Sequence, residues 1–136
     1  MNNQDLSLLV QKSMYEQITK RGYSTSEQVL MDLNYLSKED YENWKKGRVD
    51  YLERVCKVNL SKLSFILSQM QKYAKTTNLK ESCTYYKKSG KGNIKLRFTK
   101  TGNEYMERRY STRYTSTDIS TVKKIINKFE GKKDET

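Results

Sequence analysis

The sequence predicts a single small α+β domain, and three observations carry that expectation. Apolar residues recur every three or four positions as far as about residue 78, alternation with two glycine turns takes over between residues 82 and 115, and a last amphipathic stretch starts near residue 117. With 136 residues there is room for one core, placed here at residues 1–130 with a charged tail at 131–136. An apolar fraction of 35% is low for a globular protein, but the apolar residues are patterned, which argues for a folded chain rather than disorder.

The helical part, residues 4–78, divides into segments. In 4–21 the residues Leu6, Leu9, Val10, Met14 and Ile18 share one helical face, and Gly22 is a natural stop. Ser24 or Thr25 can cap the next segment, which turns Val29, Leu30, Leu33 and Leu36 toward a core. Ser37 caps a third helix whose first turn holds Glu39 and Asp40, where the macrodipole favours acids; it carries Tyr41 and Trp44 and ends near Gly47. From residue 51 to 74 the stripe Leu52, Cys56, Leu60, Leu63, Leu67, Met70 and Ala74 describes the central core helix, or a pair of helices if Asn59 bends the chain through a left-handed conformation.

The ribbon comes next. Thr84, Tyr85 and Tyr86 favour a strand, residues 89–93 read as a turn, and Ile94, Leu96 and Phe98 alternate with Lys95 and Arg97, so that the apolar set faces a core and the cations face away. Residues 101–103 form a second turn. The Tyr and Thr content of 105–114 favours a third strand over a short helix. Ser116 or Asp118 caps a C-terminal helix over 117–130, with Ile119, Val122, Ile125, Ile126 and Phe129 on one face.

The formal charge of +11 is concentrated: residues 80–114 hold ten Lys/Arg against three acids, whereas residues 1–36 hold three against four. Lysine richness across a whole chain can reflect an AT-rich genome, but a local excess describes a patch for an anion. Two cysteines without C-x-x-C spacing, and no histidine, do not supply a zinc set, and no cofactor motif is present. Cys56 falls in the apolar stripe, and a bridge to Cys83 is left open. Residues 1–12 lack a signal-peptide pattern and no apolar run is long enough to span a bilayer, so a cytoplasmic protein with reduced thiols and no membrane partner is expected.

The expected function is nucleic-acid binding by the basic ribbon. Lys87, Lys88, Lys91, Lys95, Arg97, Lys100, Arg108, Arg109 and Arg113 are the phosphate candidates, and Tyr85, Tyr86 and Tyr110 the candidate stacking rings. DNA is preferred because residues 51–71 also read as a helix, a turn at Val58 and Asn59, and a second helix with Ser61, Lys62, Ser64, Ser68, Gln69 and Lys72 on its polar side, ahead of a wing-like ribbon. A glycine in that turn is missing, and one continuous core helix explains the same residues. The turn at residues 87–93 can form an anion nest, although the P-loop pattern is absent. An enzyme is not expected: Glu107, Arg108, Arg109, Tyr110, Arg113 and Tyr114 lie close in sequence, yet strand alternation would divide them between two faces. The alternative is a non-enzymatic adaptor or inhibitor docking on an acidic partner protein.

A resemblance adds to this reading. Trp44-Lys-Lys-Gly47-Arg48-Val49-Asp50-Tyr51-Leu52-Glu53-Arg54-Val55, then Asn59 to Leu63, Gly90 and Gly92, Leu96 to Asn103, and Tyr110-Ser-Thr resemble a family of small uncharacterised bacterial proteins over about residues 26–115. The resemblance implies a shared fold and no assigned reaction. Asp50 stands where that family has proline after G-R-V, and Arg113 where it has a late histidine, which argues further against catalysis.

Overall fold

The computed structural model describes residues 2–90, 92 and 94–117; the expected helix over 117–130 lies, from residue 118 on, outside the described residues, as do the tail at 131–136 and Lys91. In chain order the elements are α1 (Asn3–Arg21), β1 (Tyr23–Thr25), α2 (Ser26–Asp32), α3 (Lys38–Lys45), a 3-10 turn (Leu52–Val55), α4 (Leu60–Thr76), β2 (Lys80–Cys83), α5 (Glu104–Ser111) and β3 (Thr112–Thr115). The class is α+β, as expected, with a three-stranded antiparallel sheet ordered β1-β3-β2.

Local chemistry accounts for most helix ends. Asn2 caps α1 by accepting from the Asp5 amide, and Gly22 closes it in the left-handed region at φ 85°, its amide donating to the Ile18 carbonyl. Ser37 caps α3 through the Asp40 amide, as read from the sequence. Asn59 caps α4 by accepting from the Lys62 amide. Of the two readings left open for this stretch the break holds, but with an ordinary φ of −76° Asn59 makes it as an N-cap rather than as a left-handed bend. Leu52–Val55 is a single 3-10 turn, so no one long helix runs through residues 51–74, the first helix of a helix-turn-helix is reduced to that turn, and the winged-helix resemblance is not confirmed among the described residues.

α1 packs on α4 through Leu6, Val10 and Met14, but its buried face continues in polar residues, Ser13 and Gln17, while Leu9 turns outward. Gln17 explains the change. Its amide nitrogen donates to Ser13 Oγ at 2.9 Å, and its carbonyl accepts from the Ser24 hydroxyl and the Thr25 amide, each at 3.0 Å, joining α1 to β1. Strand β1 is too short to be legible as alternation, and it pairs Tyr23 with Thr115 at one end and Thr25 with Arg113 at the other.

Two expectations for the ribbon are corrected. Residues 104–111 are helical, because Asn103 caps α5 through the Met106 amide, Glu104 and Glu107 sit in its first turn and Arg108 and Arg109 in its last. Strand structure at 105–115 is confined to Thr112–Thr115, and the region 82–115 holds the end of β2, a loop with one bridge, α5 and β3 rather than a continuous ribbon. Between Tyr86 and Leu96 the chain forms one antiparallel bridge, Lys87 to Lys95. Leu96 and Phe98 are buried as read, but Ile94, 55% exposed, lies beyond the bridge where the ribbon leaves the core.

Trp44 is the hub. Its ring centroid lies 4.9 Å from Phe98, 5.9 Å from Tyr41 and 6.0 Å from Tyr86, while Phe98 stacks on Tyr110 at 5.2 Å. Trp44 Nε1 donates to the Arg97 carbonyl at 2.8 Å, which also accepts from the Leu52 amide at 3.1 Å. Gly47, at φ 79°, turns the chain out of α3 beneath the Lys88 stem; a Cβ there would stand 2.7 Å from Lys88 Cε.

Candidate functional site

The residues named as phosphate and stacking candidates separate into two groups by burial. Lys87, Lys95, Arg97, Lys100 and Arg108 are exposed, and Lys88 is half-buried along Gly47. Tyr85 is 56% exposed. Apart from Lys91, which lies outside the described residues, the remaining candidates are structural. Tyr86 is buried with its hydroxyl donating to the Glu27 carboxylate at 2.9 Å, and Tyr110 is buried with its hydroxyl donating to Glu53 at 2.7 Å. Neither ring face is open to a stacking base.

Arg109 is also internal: Nη2 donates to the Ser64 carbonyl at 3.1 Å and the Ser68 hydroxyl at 2.7 Å, tying α5 to α4. Arg113 is half-buried with its guanidinium 4.1 Å from the Tyr23 ring centre, and Arg21 lies 4.2 Å from the same centre. That follows from the register: Arg113 is opposite Thr25 and therefore diagonal to Tyr23 on one sheet face. Of the polar side proposed for a recognition helix, Ser64 and Ser68 serve as acceptors for Arg109 instead.

The hydroxyls of Tyr86 and Tyr110 each meet a carboxylate, and Glu27, the partner of Tyr86, is itself buried. Desolvation pushes the Glu27 carboxyl above its ordinary range, against opposing hydrogen bonds from the backbone and from Tyr86. No sequence signal pairs Glu27 with Tyr86 across 59 positions.

The exposed cations surround two features. Lys87 and Lys95 are direct cross-strand partners, flanked by the Leu96 amide donating to Tyr86 and the Lys88 amide donating to Ile94, each at 2.8 Å. They therefore form a non-hydrogen-bonded pair, the register in which opposite side chains stand closest. Arg54 with Asp50 is the one ion pair among the described residues, so no described carboxylate neutralises Lys87, Lys95, Lys100 or Arg108.

The second feature is a cleft of about 380 Å³ between the bridge and α5. Leu96, Phe98 and Tyr86 contribute its buried apolar lining; Tyr85, Lys95, Arg108 and Glu104 are its exposed members, and the exposed Cys83 also lines it. Its Glu107 is committed to the backbone. That carboxylate accepts from the Thr99 amide at 2.7 Å, the Thr99 hydroxyl at 2.6 Å and the Phe98 amide at 3.0 Å, and so fastens the turn before α5 to that helix. Replacing Glu107 with Ala is expected to cost about 2 kcal/mol or more by stranding these donors. For a domain of this size that lowers Tm by roughly 6–10 °C in a thermal melt. An unchanged Tm would remove the clasp from the account of the fold.

Cys56 and Cys83 are free thiols, the first half-buried and the second exposed. Burial, with the Glu53 charge adding to it, pushes the Cys56 thiol up to about 12. Among the described residues no three His, Cys, Asp or Glu side chains gather to hold a metal ion, and no helix is long and apolar enough to cross a membrane. Comparison with protein-family models, with curated proteins and with solved structures finds no match to this chain.

Sequence reading missed the cleft because its walls come from three stretches, 83–86, 95–98 and 102–111. The signal that could have found it is the acid-rich helix start after Asn103, which turns residues 104–111 into a wall opposite the bridge.

Proposed function

We propose that the protein binds nucleic acid through the exposed cations around the Lys87–Lys95 bridge, which neutralise backbone phosphates. The Lys87–Lys95 pair carries this reading. Like charges directly opposite each other destabilise a ladder, and an anion lying across them relieves that cost. Lys100, Arg97 and Arg108 extend the cationic surface, whereas Arg109, Tyr86 and Tyr110 hold the fold. The preference for duplex DNA loses its ground without a helix-turn-helix, so DNA and RNA are equal candidates here.

Fluorescence anisotropy with single- and double-stranded DNA and RNA at two salt concentrations tests the reading. Affinity is expected to fall steeply with salt, at a slope of about 0.9 in log K per phosphate neutralised on a duplex and about 0.7 on a single strand. The Lys95→Glu, Arg97→Glu double variant is expected to bind more weakly and to flatten that slope by about two phosphates. No binding to any of the four at low salt would sink the proposal. In that event, co-purification of an acidic protein after nuclease treatment would support the adaptor reading.

A further inference from the structure

The cleft beside α5 refines the substrate class, and the refinement rests on the nucleic-acid reading above. We propose that this cleft receives one unstacked base of a single-stranded nucleic acid, with the adjoining phosphates on Lys95 and Arg108. Its volume of about 380 Å³ falls at the small end of ligand clefts, which run from about 300 to 1,000 Å³. That is room for a nucleotide unit and not for a duplex. The chemistry is mixed in the way a nucleotide is mixed: the apolar lining from Leu96 and Phe98 suits a flat ring, and the cations at the rim suit its phosphates.

Tyr85 stands at the rim with more than half of its surface exposed, placed to lie against a base entering the cleft. In a duplex the flat faces of bases are covered by their neighbours, so a site built for a ring face selects unpaired strands. The carboxylates do not contradict this. Glu107 is turned toward the Phe98 and Thr99 amides, and Glu104 is one acceptor at the edge, where an exocyclic amine of a base can donate.

The experiment compares, with the full chain, a DNA strand, an RNA strand, the matching duplexes, and a strand of equal length whose sugars carry no bases. Single strands with bases are expected to bind at least about fivefold more tightly than the baseless strand. Tyr85→Ala is expected to remove most of that advantage and leave duplex binding unchanged, while Tyr85→Phe, which keeps the ring, retains it. Cys83 supplies a second readout: base-bearing strands slow its alkylation and the baseless strand does not, with half-buried Cys56 as an internal reference. A preference for either DNA or RNA supports the cleft equally. Equal affinity for all strands, with Cys83 alkylation unaffected and Tyr85→Ala silent, overturns the cleft and leaves the phosphate surface standing. No binding to any strand overturns both.

Discussion

Raising the pH past 10 is expected to unfold the domain over a narrow interval. Tyr86, Tyr110 and Tyr114 are buried, and burial pushes all three phenols well above their ordinary range; Glu27 beside Tyr86 and Glu53 beside Tyr110 add to it. Tyr41 is pushed up to about 12 by burial and by Glu27, and Cys56 up to about 12 by burial and by Glu53. In each case the folded state holds its proton more tightly than the unfolded chain does. Their contribution to stability is therefore complete below the unfolded values, about 8.5 for the thiol and about 10 for the phenols, and is lost as the pH climbs toward the folded ones.

Each such group costs about 1.4 kcal/mol per pH unit in that window, so four or five of them remove on the order of 5 kcal/mol between pH 10 and 11. Total stabilities are about 5–15 kcal/mol. Cooperative loss of far-UV circular dichroism by about pH 11, together with a late, steep rise in tyrosinate absorbance, is the expected result. Tyr114→Phe keeps the ring and removes one titrating group, so its transition is expected to move upward and lose steepness. Smooth titration of all eleven tyrosines with the fold intact would contradict this account.

Trp44→Ala is expected to be the most damaging single substitution. The ring is fully buried, contacts Tyr41, Tyr86 and Phe98, and its Nε1 donates to the Arg97 carbonyl. Removing a buried aromatic of this size costs about 3–5 kcal/mol, a large part of the total. Urea unfolding is expected to show a midpoint reduced by that amount, or no native baseline. Trp44→Phe keeps most of the ring contact and loses one hydrogen bond, and the Arg97 carbonyl retains the Leu52 amide, so a much smaller loss is expected. Similar midpoints for the two variants would mean that the hydrogen bond, not the packing, holds this hub together.

What the sequence made legible follows the range of the physics involved. Caps act over three residues, so Ser37 and Gly22 could be read directly. The core positions Leu52, Leu63, Leu67, Met70 and Ala74 were legible too, although the periodicity that revealed them ran straight through the break at residues 56–59. Strand propensity misled at 105–114, where Tyr and Thr outweighed the Asn103 cap and the acids that follow it. Alternation placed Leu96 and Phe98 correctly and Ile94 incorrectly, since a single bridge carries no face of its own beyond the core. For the site, composition marked the right stretch of chain. It could not separate Lys95 and Arg108 at the surface from Arg109 and Tyr110 inside, because that division depends on Ser64, Ser68 and Glu53, more than forty positions away.

Among the described residues the central strand of the sheet is also the last in the chain. β3 pairs Tyr114 with Ser24 on one side and with Glu81 on the other, so both edges of the sheet wait for residues 112–115. A chain emerging from the ribosome can wind α1 and α4 early, since their contacts within each helix are local, but it cannot close the sheet until about 90 intervening residues have been synthesised between β1 and its partner. Until then the hydrogen-bonding edges of β1 and β2 are open to other chains. The sheet is accordingly completed only when β3 enters between them, and the edges that β3 covers are the ones left open in the nascent chain.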